Sequence, residues 1–272
     1  MAQQRIGICG AGIGGLCAAI GLARAGYSIT VFEQAKAFAR VGADINLTPN
    51  AVHAIDGLGV GAKLRDTAAR TTHRISRVWD SGEETSRIEM SDSAEQRYGA
   101  PQLTLHRADL MQALEEKVDA RAISFNKKAV GLSRTPAGVT IEFADGSKET
   151  VDALIGADGI HSVVRTALLG PENPTFTGVV AYRCVVPVET LEGVSNLGAF
   201  TKWWGPQAEI QLVVFPLNRG KDIFIFATVP QASWRHESWT TPGALDEFRD
   251  FYKGFHPEAR KIIDACLLGS PQ

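Results

Sequence analysis

Three glycines and one acid near the start of the chain have types and spacing suited to binding chemistry. Gly10, Gly12 and Gly15 form a GxGxxG run inside "GAGIGGL", directly after the apolar stretch "RIGIC". In such a run the first glycine permits a tight turn. The second lets backbone approach a pyrophosphate, and the third lets helix and strand pack closely. The start of the following helix presents unpaired N–H groups and a partial positive charge to the phosphates. Glu33 ends the next strand, "SITVFEQ", about twenty residues after the loop, where a carboxylate accepts hydrogen bonds from ribose hydroxyls. Strand, loop, helix and acid together read as an adenine dinucleotide site. The loop does not distinguish FAD from NAD, and the carboxylate disfavours the 2′-phosphate of NADP. A ligand-free glycine turn is the alternative, and it leaves Glu33 unexplained.

A second turn lies far downstream, in "GADGIHSVVR" (156–165). Asp158 and Gly159 sit where an apolar strand read as buried, "VDALIG", ends and a helix begins. The carboxyl ends of strands are where ligands bind in open α/β sheets. A carboxylate does not attract phosphate, so Asp158 is expected to fix the turn, or to bond a ribityl hydroxyl or an ordered water. A plain Asp-Gly turn is the alternative.

The elements that must position these residues follow from periodicity and punctuation. Residues 5–34 read as a β-turn-α-turn-β unit, its Ala-rich helix stopping at Gly26. Residues 72–90 alternate around Ser81-Gly82 and read as a hairpin, and 122–151 read as strands around an Asp145-Gly146 turn. After Pro171 the pattern changes. "VVAYRCVVPV", "LGAFTKWWG", "AEIQLVVFPL" and "DIFIFATVP" read as four strands of one antiparallel sheet, and two helices follow, "PGALDEFRDFYKGF" and "PEARKIIDACLLG". The fold class is α/β with an α+β insertion: a βαβ nucleotide domain interrupted by strands, beside a sheet of a second kind.

Composition narrows the function classes. A chain of 272 residues is long enough for about two domains. A formal charge of −2 removes the electrostatic reason to expect nucleic acid, and Arg74 and Arg77 read as a solvated face. No apolar run approaches the ~18 residues of a membrane span, and the N-terminus runs straight into a strand without a signal peptide. Cys9, Cys17, Cys184 and Cys266 show no CxxC pair and no His at zinc spacing, so no metal site is expected. They read as buried apolar thiols in a reducing, cytoplasmic setting.

The motifs "GAGIGGL", "VFEQA", "VGADINLTPNA", "LHRADL" and "GADGIHSVVR", in this order, resemble the class A FAD-dependent aromatic hydroxylases, closest to the salicylate, 3-hydroxybenzoate and 6-hydroxynicotinate branch. The resemblance implies a Rossmann-like FAD-binding domain (1–170, with an inserted hairpin at about 72–100) and an antiparallel-sheet substrate domain (171–272). Gly10, Gly12, Gly15, Glu33 and Gln34 would hold the ADP half of FAD. Arg107 would contact the cofactor near its pyrophosphate; without the family it reads as a helix-start surface arginine. Asp158 and Gly159 match the motif that serves FAD and NAD(P)H binding together. The implied reaction uses NADH or NADPH and O2 to hydroxylate a small phenolic or N-heteroaromatic acid, in a monomer or homodimer.

The resemblance also shows departures. The hydroxynicotinate branch carries His at the position of Asn46, and its His and Tyr fall at Glu209 and Val213. Asn46 is no base near neutral pH, so a different aromatic substrate is expected. Glu209 is a weak candidate base, more simply read as an exposed edge residue. Alternation would place Glu209, Gln211 and Val213 on one face, towards the ring. Trp203 and Trp204 read as packing rather than as a gate, and His106 and His161 as structural. No "GDA" occurs, so the C-terminal part of the FAD domain is expected to be missing. A non-catalytic flavoprotein remnant and an NAD-dependent dehydrogenase are the alternative readings.

Overall fold

The computed structural model describes residues 3–39, 44–233 and 245–268. In chain order the elements begin β1 (Arg5–Cys9), α1 (Ile13–Arg24), β2 (Ser28–Phe32), β3 (Ile45–Leu47), α2 (Pro49–Gly57), α3 (Gly61–Arg65), β4 (His73–Val78) and β5 (Glu84–Glu89). Next come α4 (Asp92–Tyr98), β6 (Leu103–Leu105), α5 (Arg107–Glu115), β7 (Ile123–Ser124), β8 (Ala129–Thr135), β9 (Gly138–Phe143), β10 (Lys148–Val151), β11 (Ala153–Gly156) and α6 (Val163–Leu169). The last are β12 (Val179–Pro187), β13 (Phe200–Trp204), β14 (Gln211–Leu217), β15 (Asp222–Pro230), α7 (Leu245–Tyr252) and α8 (Pro257–Leu268). The start of "VGADINLTPNA" and the "PGA" before α7 lie outside the described residues.

The chain divides into two compact units, one of residues 1–40 with 110–175 and the other of 41–109 with 176–272. The first holds a parallel sheet in the order β11-β1-β2-β7. Helix α1 buries Leu16, Ala19 and Ile20, and its exit turn is made by Gly26 at φ +90°. That conformation is open to glycine and costly for residues with a Cβ. An antiparallel sheet, β10-β9-β8, packs Ile141, Phe143 and Val151 against Cys9 and Phe32. Register sets the site. Cys9 lies beside Phe32 on one side and Gly156 on the other, so three loops leave the sheet side by side at its carboxyl edge.

Strand β11 differs from the buried strand expected: Ala153 and Gly156 are exposed. It is an edge strand of this sheet, covered by fewer neighbours than β1.

The second unit is built on a six-stranded sheet, β12-β15-β14-β13-β4-β5. The four strands expected after Pro171 are its antiparallel part. The hairpin of 73–89 is present, but it is no insertion within the first unit: β4 pairs in parallel with β13, Phe200 beside Arg74 and Trp204 beside Val78. Non-local pairing of this kind overrides the sequence boundary drawn at 170. Helices α7 and α8 cover one face, where Trp203, Phe248, Tyr252, Ile262 and Ile263 pack.

Two other expectations fail here. Cys184 and Cys266 are not separate thiols: β12 and α8 bring their Cα atoms to 5.8 Å and a disulfide joins them. Cys9 and Cys17 remain free. Arg77 is no solvated residue either. Its guanidinium donates to Glu258 at 2.8 Å, lies over the Trp203 ring, and its side chain is only 11% exposed. Trp203 is buried, as expected for packing, while Trp204 is exposed. Among the described residues no helix is long and apolar enough to cross a membrane, and no group of three His, Cys, Asp or Glu could hold a metal.

Candidate functional site

The glycine loop separates into three different jobs. Gly10 sits at φ +95°, and a Cβ there would lie 2.3 Å from the Ala157 carbonyl oxygen. A Cβ on Gly15 would lie 1.9 Å from the carbonyl oxygen of Gly10. Both glycines are demanded by the chain's own packing. Gly12 is not: its φ is −70°, which any residue adopts, and a Cβ would meet nothing within 4 Å. It sits at the N-cap of α1, which begins at Ile13, and as glycine it offers no side-chain cap to the first-turn N–H groups. A glycine with no conformational or steric duty, at an uncapped helix start, is suited to the close approach of a phosphate.

Glu33 faces this loop. One carboxylate oxygen accepts from the Ala11 N–H at 2.8 Å, the other from the Ala35 N–H at 2.8 Å. A carboxylate offers about four lone-pair sites, so both oxygens retain capacity for ribose hydroxyls. Gln34 is exposed beside it.

Asp158 holds the third loop. Its carboxylate accepts from the Val163 and Val164 N–H groups at 2.7 and 3.1 Å and from the Ser162 hydroxyl at 2.5 Å. It fixes the turn that starts α6, the first of the roles its position allowed. Gly159 takes φ +79°, and a Cβ on Gly156 would strike Val164 at 2.8 Å, so α6 packs directly on the end of β11. Burial, and then the Asp158 charge, push the Cys9 thiol up to about 12, leaving a neutral thiol beneath the loop. The first unit thus brings together Gly10, Gly12, Gly15, Glu33, Gln34, Asp158 and Gly159. Arg107, Asn46, Glu209, Gln211 and Val213 lie in the second unit.

Arg107 opens α5 and is half-buried. Asn46 lies on β3, opposite Thr104 of β6, and its side-chain oxygen accepts from the Gln102 amide at 2.9 Å. The Thr104 hydroxyl donates to the Pro216 carbonyl at 2.6 Å, tying that small sheet to β14. Glu209 is not on the strand. It is an exposed residue of the turn before β14, whose first residue is Gln211. Gln211 and Val213 do share a face, with Phe215 and Leu217. Gln211 donates its side-chain amide to the Ala208 carbonyl at 2.5 Å, and Val213 packs with Phe215 and Phe224.

Sequence reasoning missed part of this unit's polar chemistry. Asp44, two residues before Asn46, has its carboxyl pushed up by burial, against the lowering pull of Arg183 and His106. His106 lies 3.4 Å from Asp222, which also accepts from Asn218 at 3.0 Å. The alternation of "FTKWW" was the available signal for one more set: it puts Phe200, Lys202 and Trp204 on the side opposite the buried Trp203.

A parallel sheet carrying a glycine loop, a strand-end acid and a second strand-end turn defines a nucleotide-binding α/β unit. Comparison with known proteins narrows this. A family model described as an FAD binding domain matches residues 3–249. The 6-hydroxynicotinate 3-monooxygenase of Bordetella bronchiseptica is 36% identical over 97% of this chain and 68% of its own length. The 3-hydroxybenzoate 6-hydroxylase of Polaromonas naphthalenivorans is 35% identical over 94% of this chain and 64% of its own. Among solved structures, Klebsiella pneumoniae HpxO complexed with FAD and uric acid superposes with a TM-score of 0.82 at 26% identity, covering 96% of this chain and 65% of that one. The chain belongs to this FAD-binding family, the class A flavin-dependent aromatic monooxygenases, and spans about two thirds of the length of these relatives. Membership sets aside the NAD-dependent dehydrogenase reading.

Proposed function

We propose that this protein is a FAD-dependent monooxygenase that hydroxylates a small phenolic or N-heteroaromatic acid, using NADH or NADPH as reductant and O2 as oxygen donor. The observation that carries the reading is Gly12, a glycine that the chain itself does not require, at an uncapped helix start facing Glu33. In this reading Gly12 and the start of α1 take the pyrophosphate, and Glu33 with Gln34 takes the adenosine end. Arg107 adds positive charge near the pyrophosphate. Asp158 and Gly159 hold the third loop in place for the middle of the cofactor and for the docking of the reductant.

FAD, when bound, supplies the activation of O2 and the transfer of one oxygen atom to an electron-rich ring; the second leaves as water, balanced by the two electrons of NAD(P)H. The chain's own part is to bind, orient and exclude water. Three positions argue against 6-hydroxynicotinate as the substrate. Asn46 is an amide already accepting from Gln102, Glu209 is an exposed turn residue, and Val213 is apolar and packed. None removes a ring proton as His or Tyr would.

The test is NAD(P)H-dependent oxygen uptake by protein reconstituted with FAD, screened against hydroxybenzoates and hydroxypyridine carboxylates. One acid is expected to stimulate uptake and to yield a product with one additional hydroxyl. Protein that takes up no FAD, or whose NAD(P)H oxidation ignores every ring acid, contradicts the reading.

A further inference from the structure

The face of the six-stranded sheet turned away from α7 and α8 carries an aromatic floor with cations at its edge. Antiparallel pairing sets Lys202 opposite Val213 and Trp204 opposite Gln211, and parallel pairing sets Phe200 beside Arg74. Paired residues point to the same face, so Arg74, Phe200, Lys202, Trp204, Gln211 and Val213 share one surface. Phe200 and Phe215 stack there with ring centroids 5.0 Å apart, and Phe224 tilts against Phe215 at 5.0 Å. The Arg74 guanidinium lies 5.4 Å from the Phe200 centroid, and the Lys202 ammonium 3.5 Å from that of Trp204.

These two cations are treated differently from their neighbours. On the same hairpin Arg77 pairs with Glu258 and Arg87 with Glu84. Arg74 and Lys202 have no carboxylate within ion-pair distance among the described residues. Burial first, and then the Arg74 charge, lower the Lys202 pKa, as expected when like charges approach without a counter-ion. An anion placed between them relieves that repulsion; Phe215 and Phe224 are buried, so the stacking area for a flat partner is that of the partly buried Phe200 and the exposed Trp204.

We propose that Lys202, with Arg74 beside it, receives the carboxylate of the aromatic substrate, the ring lying on the Phe200 side of the sheet. The proposal rests on the function proposed above and deepens it. It names the anionic group as the feature selected and Lys202 as the residue that selects it. A ring acid is then preferred to the neutral amide of the same ring.

The experiment is equilibrium binding to the FAD-reconstituted full chain, followed by tryptophan fluorescence, because Trp204 lies under Lys202. Salicylate, 3-hydroxybenzoate and 6-hydroxynicotinate are each compared with their carboxamides. Lys202→Met, which keeps the length of the side chain, should weaken binding of the preferred acid about tenfold or more, the scale of one charge-assisted hydrogen bond. The same variant should leave carboxamide binding within about twofold. Lys202→Arg should restore preference for the acid, and Arg74→Gln should show a smaller loss of the same kind. An unchanged melting temperature in Lys202→Met confirms that the fold is intact. A Lys202→Met protein that binds the acid as wild type does, or a wild type that binds acid and carboxamide alike, overturns the proposal. Protein that holds FAD but hydroxylates only neutral phenols overturns it while the monooxygenase reading stands. Protein that neither holds FAD nor binds any ring acid overturns both.

Discussion

In the function proposed above, the carboxyl edge of the parallel sheet and the face of the six-stranded sheet turned away from α7 and α8 recognise by opposite means. At the first, backbone is the ligand-facing surface, and side chains are withdrawn or committed to shaping it. Gly10 and Gly15 clear space for the chain itself, Gly12 clears space for nothing in the chain, and Asp158 caps α6. At the second, backbone is consumed in strand pairing and recognition falls to the side chains of that face left accessible, Phe200, Lys202, Trp204 and Gln211, while Val213 is packed beneath them. A backbone site accepts few residue types, whereas a side-chain face can change its chemistry without changing its fold.

Variants can break this contrast from either side. The largest effect is expected at Gly15→Ala, where the added methyl meets the Gly10 carbonyl oxygen at 1.9 Å and no flexible side chain can yield. A loss above about 4 kcal/mol, or failure to fold, should appear in chemical denaturation. Next is the Cys184–Cys266 bridge, which closes a loop spanning 82 residues of sequence. Reduction, or Cys266→Ala, should lower stability by about 3–4 kcal/mol. Thiol titration of denatured protein should count two free cysteines before reduction and four after it.

A smaller loss is expected at Glu258. Burial raises its pKa, but hydrogen bonds from Ser195 and Arg77 and the Arg77 charge outweigh burial, so the carboxyl lies below its ordinary 4.5. A folded-state pKa depressed in this way contributes stability above pH 4.5, which is lost as pH falls through the lowered value. Glu258→Gln should therefore cost about 2–3 kcal/mol near neutrality, and its deficit against wild type should shrink in unfolding curves taken below pH 4.5. It should leave FAD affinity unchanged, which sharpens the separation between the two regions.

The same contrast explains what the sequence could and could not disclose. Each glycine of the loop has a reason that lies within a few residues or one neighbouring strand, so type and spacing sufficed to find it. The antiparallel strands after Pro171 were legible because alternation is local. The partner of the 73–89 hairpin was not, since its parallel pairing with β13 joins segments more than a hundred residues apart. The Cys184–Cys266 bridge was hidden for the same reason: it depends on α8 crossing β12, which no spacing records. The strand expected from "AEIQLVVFPL" begins at Gln211, so Glu209 falls in the turn before it. Gly205-Pro206 already marked a turn, and Gly205 donates to the Ile210 carbonyl at 2.9 Å to close it. Arg77 resembles a surface residue in the sequence because its acid, Glu258, lies on a helix far along the chain.

The measurement closest to the central claim is FAD titration of Gly12→Ala beside its unfolding curve. The substituted methyl meets no atom of the chain within 4 Å and the backbone is ordinary, so stability should fall by no more than about 1 kcal/mol, the difference between Gly and Ala at a helix N-cap. FAD affinity should fall about tenfold or more, because the methyl stands where the phosphates approach. Wild-type affinity in a stably folded Gly12→Ala protein would contradict the account: the glycine loop would then not be where the cofactor's pyrophosphate rests.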